Sequence, residues 1–236
     1  MKTSIIRTLG KIPAWHQFRR RKWFGLDHLD ERLADFIDSR DGYYVELGAH
    51  DGIFASNTIH FELLKGWTGV LIEPAPENFD LLIRNRRRSK NAFFKCACVS
   101  SGYEQPSIEM LYSHAWTAAP AISDSDEAEA RIIEGASHLR EGEEIHRFSS
   151  PTQTLTSVLD QANAPPVIDL LSLDVEGAEL EVLLGIDFRR YQFKWMCIES
   201  LSISPIEEFL RTHNYVLVAR LSDYDFLFSP SPGPPT

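Results

Sequence analysis

Tyr43–Gly52, YYVELGAHDG, is the stretch from which the rest of the chain reads. Tyr43, Tyr44 and Val45 make a short apolar run into an acid, Glu46, followed by a turn with glycines at 48 and 52. The run predicts a buried strand that breaks into a tight turn and opens a helix. Its spacing, E-x-G-x-x-x-G, departs from the dinucleotide fingerprint G-x-G-x-x-G at the first glycine, which Glu46 replaces. A carboxylate there repels a pyrophosphate and suits a ligand with a cationic amine. Gly48 and Gly52 let the backbone approach that ligand closely. S-adenosylmethionine meets these conditions better than a nicotinamide dinucleotide.

Working outward, 236 residues suit one α/β domain with a decoration. No apolar run approaches the roughly 20 residues of a membrane span. The N-terminus lacks the uninterrupted apolar core of a secretory signal. Cys96, Cys98 and Cys197 lie in strand-like runs and give no even framework, which predicts a reduced, cytoplasmic protein. The net charge of −10 is unevenly placed. Residues 1–26 form a basic leader with seven Lys or Arg and no acid, whereas residues 104–147 carry ten acids against Arg131, Arg140 and Arg147. An acidic body argues against nucleic acid as partner. Ile5, Leu9, Ile12, Trp15 and Phe18 recur near helical spacing, which suits contact with an anionic membrane surface. Pro13 interrupts that pattern and favours a solvated leader packed loosely on the domain.

In chain order, Leu29, Leu33, Phe36 and Ile37 predict an amphipathic helix over Leu26–Ser39. A helix over Ser56–Lys65 ends at Gly66, and Gly69–Glu73 is a second apolar strand that stops on an acid. Pro74–Arg88 reads as a helix with Phe79, Leu82 and Ile83 inward and Arg84, Arg86, Arg87 and Arg88 on a solvated face. Ala92–Val99 is the third strand. Residues 101–150 break the rhythm, and 104–150 form an insertion, a hairpin followed by a lid. A short helix over Thr154–Gln161 precedes a strand, Val167–Asp174, and a helix over Glu176–Gly185 that buries Leu180, Leu183 and Leu184. Phe193–Glu199 is a fifth strand. Ser204–Glu207 resembles a capping box opening a helix to about His213. Tyr215–Ala219 and Asp225–Phe228 predict an antiparallel hairpin, and the tail SPSPGPPT is too rich in proline for helix or sheet.

The alternation predicts a doubly wound, mostly parallel seven-stranded sheet over residues 27–229, Rossmann-like, with a terminal antiparallel hairpin. Residues 230–236 are expected to be a disordered tail. Ligands of such sheets sit beyond the carboxyl ends of the strands, where strand order reverses. That makes the strand-end acids Glu46, Glu73, Asp174 and Glu199 the candidates. Glu73 suits both ribose hydroxyls of a nucleoside. Glu46 suits a methionine ammonium, and the turn Gly48, Ala49, His50, Asp51 and Gly52 offers backbone amides to the carboxylate end. Cys96, Ala97 and Cys98 are placed to flank adenine. The Cys-x-Cys pair has no third ligand nearby and reads as two buried small side chains, so no metal is expected there.

Several of these pieces together carry a family resemblance. ELGAHDG at Glu46–Gly52, Ser56-Asn57-Thr58, GWTG at Gly66–Gly69, LIEP at Leu71–Pro74 and above all LDVEGAE at Leu173–Glu179 resemble the FkbM methyltransferases, and DGxxxSNT and GWTGxLIEP resemble its Star-like branch. The resemblance covers roughly residues 42–103 and 150–200. It implies the class I methyltransferase fold, S-adenosyl-L-methionine as cofactor, and O-methylation of a hydroxyl on a sugar, glycan or natural product. It also places Ser56, Asn57 and Pro74 on the cofactor side.

Methyl transfer requires alignment of acceptor and methyl group, and removal of a proton from a hydroxyl that is not acidic in water. Asp174 at the tip of the fourth strand and Glu176, read as opening the following helix, are the acceptor-orienting groups or general base, with His50 and His114 behind them. Glu179 and Glu181 are expected to face outward or cap the helix. Asp174 and Glu199 alone lack the third ligand that a divalent metal would need. Tyr112, His114, Trp116 and His146 in the insertion suit stacking on a sugar ring. A non-catalytic module does not need these acids, and an NAD-dependent oxidoreductase or epimerase conflicts with the missing first glycine and the terminal hairpin.

Overall fold

The computed structural model describes residues 22–87, 90–123, 139 and 144–232. The leader up to residue 21, the insertion over 124–138 and 140–143, and the tail from 233 therefore lie outside the described residues. The strands are β1 (Tyr43–Leu47), β2 (Thr68–Ile72), β3 (Ala92–Phe94), β4 (Ala97–Cys98), β5 (Ser107–Tyr112), β6 (His146–Gln153), β7 (Val167–Leu173), β8 (Gln192–Glu199), β9 (Tyr215–Arg220) and β10 (Asp225–Pro230). The helices are α1 (Leu29–Phe36), α2 (Ile59–Lys65), α3 (Pro76–Arg86), α4 (Leu155–Gln161), α5 (Glu179–Leu184) and α6 (Ile203–Thr212).

The main sheet has seven strands in the order β3-β2-β1-β7-β8-β10-β9. All pairings are parallel except those of β10, which runs antiparallel to β8 and β9. This is the predicted class I methyltransferase architecture, including the closing hairpin. The order reverses between β1 and β7, so the crevice at their tips is where a ligand belongs.

Side chains alternate across a strand, and this alternation sorts the core into two layers. Val45 and Leu47 of β1 join Val70, Leu171 and Met196 against α4, α5 and α6, through Leu155, Val182 and Leu210. Tyr44 points the other way, into a cluster with Leu33 of α1, Phe61 of α2 and Leu82 of α3. Glu46 shares the parity of Tyr44, which fixes what its carboxylate meets. Local signals agree with the layers: the Thr154 side chain accepts a hydrogen bond from Ser157 N to cap α4, and Gly66, with φ +78, closes α2 in the left-handed region.

Several boundaries differ from the sequence reading. The third strand divides: β3 pairs with β2 for three residues, and then the chain crosses to a second sheet of order β4-β6-β5, where Ala97 lies opposite Thr152. β5 and β6 are the expected hairpin of the insertion. On α3, Ile83 is exposed rather than inward, and Arg86 is buried rather than solvated. α5 starts only at Glu179, because Glu176 and Gly177 have φ of +58 and +93, outside any right-handed helix. It buries Val182 and Leu183, and Leu184 is exposed. α6 starts at Ile203 without a side-chain cap, so the box at Ser204 does not form, and Pro205 sits in the first turn where proline is tolerated. The tail begins later than read, since Ser229 and Pro230 pair with Val216 and Tyr215 in β10. Among the described residues no helix is long and apolar enough to cross a membrane.

Candidate active site

A cavity opens at the switch point, beneath the tips of β1, β2 and β7. It is lined by Gly48 and His50 after β1, by Glu73 and Pro74 after β2, by Cys96, Ala97 and Cys98, and by Asp174, Val175 and Glu176 after β7. Glu73 is buried, and its two oxygens accept hydrogen bonds from His50 N and Ala75 N, each at 2.9 Å. Burial raises its pKa, against the opposing pull of His50 and those backbone amides. The carboxylate is thus held at the β2 tip, where the sequence reading put it.

Glu46 has a different place. Its parity turns it between α2 and α3, where Ser56 Oγ (2.9 Å), Asn57 N (3.0 Å) and Thr58 Oγ1 (2.7 Å) donate to its oxygens. Arg86 NH1 stands 3.9 Å away. Glu62 is the nearer partner of Arg86, at 2.6 Å, and Tyr44 Oη joins them by accepting from Arg86 and donating to Glu62, each at 2.7 Å. Burial opposes the Arg86 charge, yet Tyr44, Glu62 and Glu46 outweigh it and raise the guanidinium pKa. Burial raises the pKa of Glu46 despite Arg86, which fits Glu62 being the dominant partner. Glu46, Ser56 and Asn57 do not line the cavity. They hold the β1–α2 loop, whereas the sequence reading expects them on the cofactor side. Asn57 also donates to Ser172 Oγ at 3.1 Å, which ties that loop to β7.

The glycines divide in the same way. A Cβ on Gly48 would lie 2.0 Å from the Asp174 carbonyl oxygen, so Gly48 lets the β1 and β7 tips touch as they line the cavity. A Cβ on Gly52 would meet Leu82 Cδ1 at 2.7 Å and Arg86 Cγ at 2.8 Å. Gly52 serves helix packing, and the structure does not bring it to the cavity. Ala49 is buried in the Tyr44 cluster with its N–H on Ile72 O. Asp51 Oδ1 accepts from Ile53 N and Phe54 N and so shapes the loop. Burial would push the Asp51 carboxyl up, but hydrogen bonds from His50, Phe54 and Ile53 hold it far below the usual range.

At the other lip, oxygens of Asp174, Glu176 and Glu199 all lie within 4.8 Å of one another. The third carboxylate that the linear pattern lacked is Glu176, turned back by its left-handed backbone. Three oxygens at this spacing can orient a hydroxyl or share one divalent cation. Glu179 caps the turn, its Oε1 accepting from Val175 N and Gly177 N.

The insertion forms the remaining wall through Met110, His114, Thr117, Ala119 and Ile122. His114 packs its ring 4.8 Å from that of His50. Tyr112 is buried and Trp116 half-buried, neither lining the cavity, while His146 lies 5.0 Å from the Tyr112 ring. Sequence reasoning missed Asn78, which lines the cavity from α3, and nothing in its neighbourhood marks it. It also missed Arg86, although the spacing Phe79, Leu82, Arg86 puts that arginine on the inward face.

The residues present fit a nucleoside. Among the described residues, Asn78 Oδ1 and His50 Nε2 are buried in the cavity wall without a hydrogen-bond partner, places that donors and acceptors of a bound ligand would satisfy. Cys96, Ala97 and Cys98 give an apolar side, and Glu73 a carboxylate in the same cavity wall.

A family model described as the methyltransferase FkbM domain matches residues 46–225. No curated protein matches the chain. Among solved structures, the precorrin-6y C5,15-methyltransferase of Geobacter metallireducens is 12% identical, over 89% of this chain and 91% of that one, with a TM-score of 0.45. M. capricolum TrmK, in complex with S-adenosyl-homocysteine, is 9% identical over 86% and 67%, with a TM-score of 0.45. The N-terminal domain of human METTL16 is 14% identical over 87% and 67%, with a TM-score of 0.40.

Proposed function

The chain belongs to the FkbM methyltransferase family, and on that premise we propose that it methylates a hydroxyl group of a sugar, glycan or natural product. It is a methyltransferase dependent on S-adenosyl-L-methionine. The observation that carries the acceptor reading is the meeting of Asp174, Glu176 and Glu199, two of which line the cavity.

Glu73 would hold the ribose hydroxyls, Asn78 and His50 the polar edges of the nucleoside, and Cys96–Cys98 its base. The bound cofactor supplies a methyl group made electrophilic by a positively charged sulfur. Asp174 and Glu176 hold the acceptor oxygen by its proton and take that proton as the oxygen loses it. The hairpin wall, with His114 and Met110, excludes water from the site. The motifs DGxxxSNT and GWTGxLIEP support a place in the Star-like branch. Three buried, free cysteines support a cytoplasmic setting.

Calorimetry against S-adenosylmethionine and NAD tests the reading. Binding of the first alone is expected, with Glu73→Gln weakening it about tenfold, the equivalent of ~1.4 kcal/mol. NAD binding, or binding of neither, overturns it.

A further inference from the structure

Asn78 stands where the β2 tip turns into α3. Glu73, Pro74 and Ala75 alone separate β2 from α3, which starts at Pro76, and Phe79 N donates to Ala75 O at 2.9 Å to close its first turn. That tight connection folds Asn78 back over the carboxylate at the strand tip. Asn78 is 1% exposed, and its side chain donates a hydrogen bond to Glu73. The donor end of the amide, Nδ2, is therefore committed. Oδ1, which can only accept, remains in the cavity wall, and among the described residues nothing donates to it. A buried acceptor is costly to leave unmade, so this wall is built for a ligand that brings a hydrogen.

The neighbouring carboxylate tells which hydrogen that is. A carboxylate has about four lone-pair sites. At Glu73, Ala75 N and His50 N take one on each oxygen, and Asn78 takes a third. The remaining site accepts a single hydroxyl, whereas a ribose presents two on adjacent carbons. We propose that the ribose diol of the cofactor is divided, one hydroxyl donating to Glu73 and its neighbour to Asn78 Oδ1, which makes Asn78 a specificity residue for that sugar. The inference rests on the methyltransferase reading above and refines it.

The amide is suited to the task, because Nδ2 and Oδ1 share one carbon and Oδ1 stays close to the oxygen that Nδ2 reaches. His50 also lines the cavity, but it meets Glu73 through its backbone N, while its ring packs against Phe54 and His114 with centroids 5.3 and 4.8 Å apart. Both hydroxyls are then read by separate groups, and the loss of either one is felt at a different residue.

The test is calorimetry on the full chain with S-adenosylhomocysteine, its 2′-deoxy and 3′-deoxy analogues, and its inosine analogue, which lacks the amine of the base. The wild type is expected to bind each deoxy analogue about tenfold more weakly than the parent. Asn78→Ala should erase that loss for one deoxy analogue and keep it for the other. If the two losses shrink together, Asn78 acts only by positioning Glu73, and if both persist, it does not see the ribose; either result overturns the division. If Asn78→Ala instead erases a loss seen with the inosine analogue, Oδ1 reads the base and the division is overturned as well. Asn78→Leu, close in volume, replaces the alanine variant if its urea-unfolding midpoint shows that it does not fold. In all these cases S-adenosylhomocysteine binds the wild type and the methyltransferase reading stands. If it does not bind, that reading fails first and the division with it.

Discussion

Two groups of acids, one at the β1 tip and one at the tips of β7 and β8, look alike in the sequence and do opposite things in the molecule. Glu46 ends an apolar strand, as Asp174 and Glu199 do. Yet Glu46 is enclosed by Ser56, Asn57, Thr58 and Arg86, whereas Asp174 and Glu176 line the cavity and gather with Glu199. The difference is one of parity and neighbours. Glu46 points into a helix layer that contains a buried cation, and Asp174 lies past the end of its strand, in the cavity wall. Whether a strand-end carboxylate is enclosed by its neighbours or faces the cavity thus depends on which side of the sheet receives it.

The contrast makes different variants fail in different ways. Arg86→Ala should have the largest effect on folding. It leaves Glu46 buried and Glu62 partly buried without their cation, for about 3–5 kcal/mol lost in urea unfolding. A wild-type unfolding midpoint would show that the network does not hold the β1 loop. Asp174→Asn is the opposite case. Turnover should drop by about 10²–10⁴-fold with the unfolding midpoint unchanged, and full turnover in single-turnover assays removes Asp174 from proton transfer.

The smallest effect lies at the border of the second group, at Asp225. Burial raises its carboxyl to about 6 from 3.8, with Glu199 and Asp27 adding to the rise and Ser222 and Arg32 opposing it. The folded value stands above the unfolded one, so the fold is favoured by the protonated form. Stability should be greatest below pH 3.8, decline as pH rises toward about 6 and level off above it. The span is at most about 3 kcal/mol, from about 1.4 kcal/mol per unit. Asp225→Asn should flatten that slope and raise stability at pH 7. An unchanged slope in pH-dependent unfolding would mean that Asp225 is not the group responsible.

The architecture was legible because it depends on period and on breaks. Apolar runs such as Tyr43–Val45 and Val167–Leu173, each followed by a glycine-bearing turn, leave little freedom in topology. Glu73, Asp174 and the Cys96–Cys98 wall were legible because a tip position needs only the strand's end to be located. The enclosure of Glu46 was not legible because Arg86, forty residues on, stands in a run of arginines that reads as solvent-facing. Glu176 was misread for a local reason: a left-handed residue in the turn delays α5 and swings the carboxylate back toward Glu199. Nothing in the linear pattern of D-V-E-G-A-E distinguishes that geometry from a helix start. The split of the third strand was hidden too, since β4 answers to a partner, Thr152, that lies beyond the whole insertion.

That split has a consequence for engineering. The hairpin is stitched to the main body at Ala97–Cys98 against Thr152–Gln153, and its far end, around Leu111 and Arg147, is simply the next rungs of the same ladder. The root of the hairpin and the Cys96–Cys98 side of the cavity are one piece of backbone, so changes there alter the cavity. The chain beyond Leu111 returns to the same cavity through His114, Thr117, Ala119 and Ile122, so a graft there would alter the cavity wall as well.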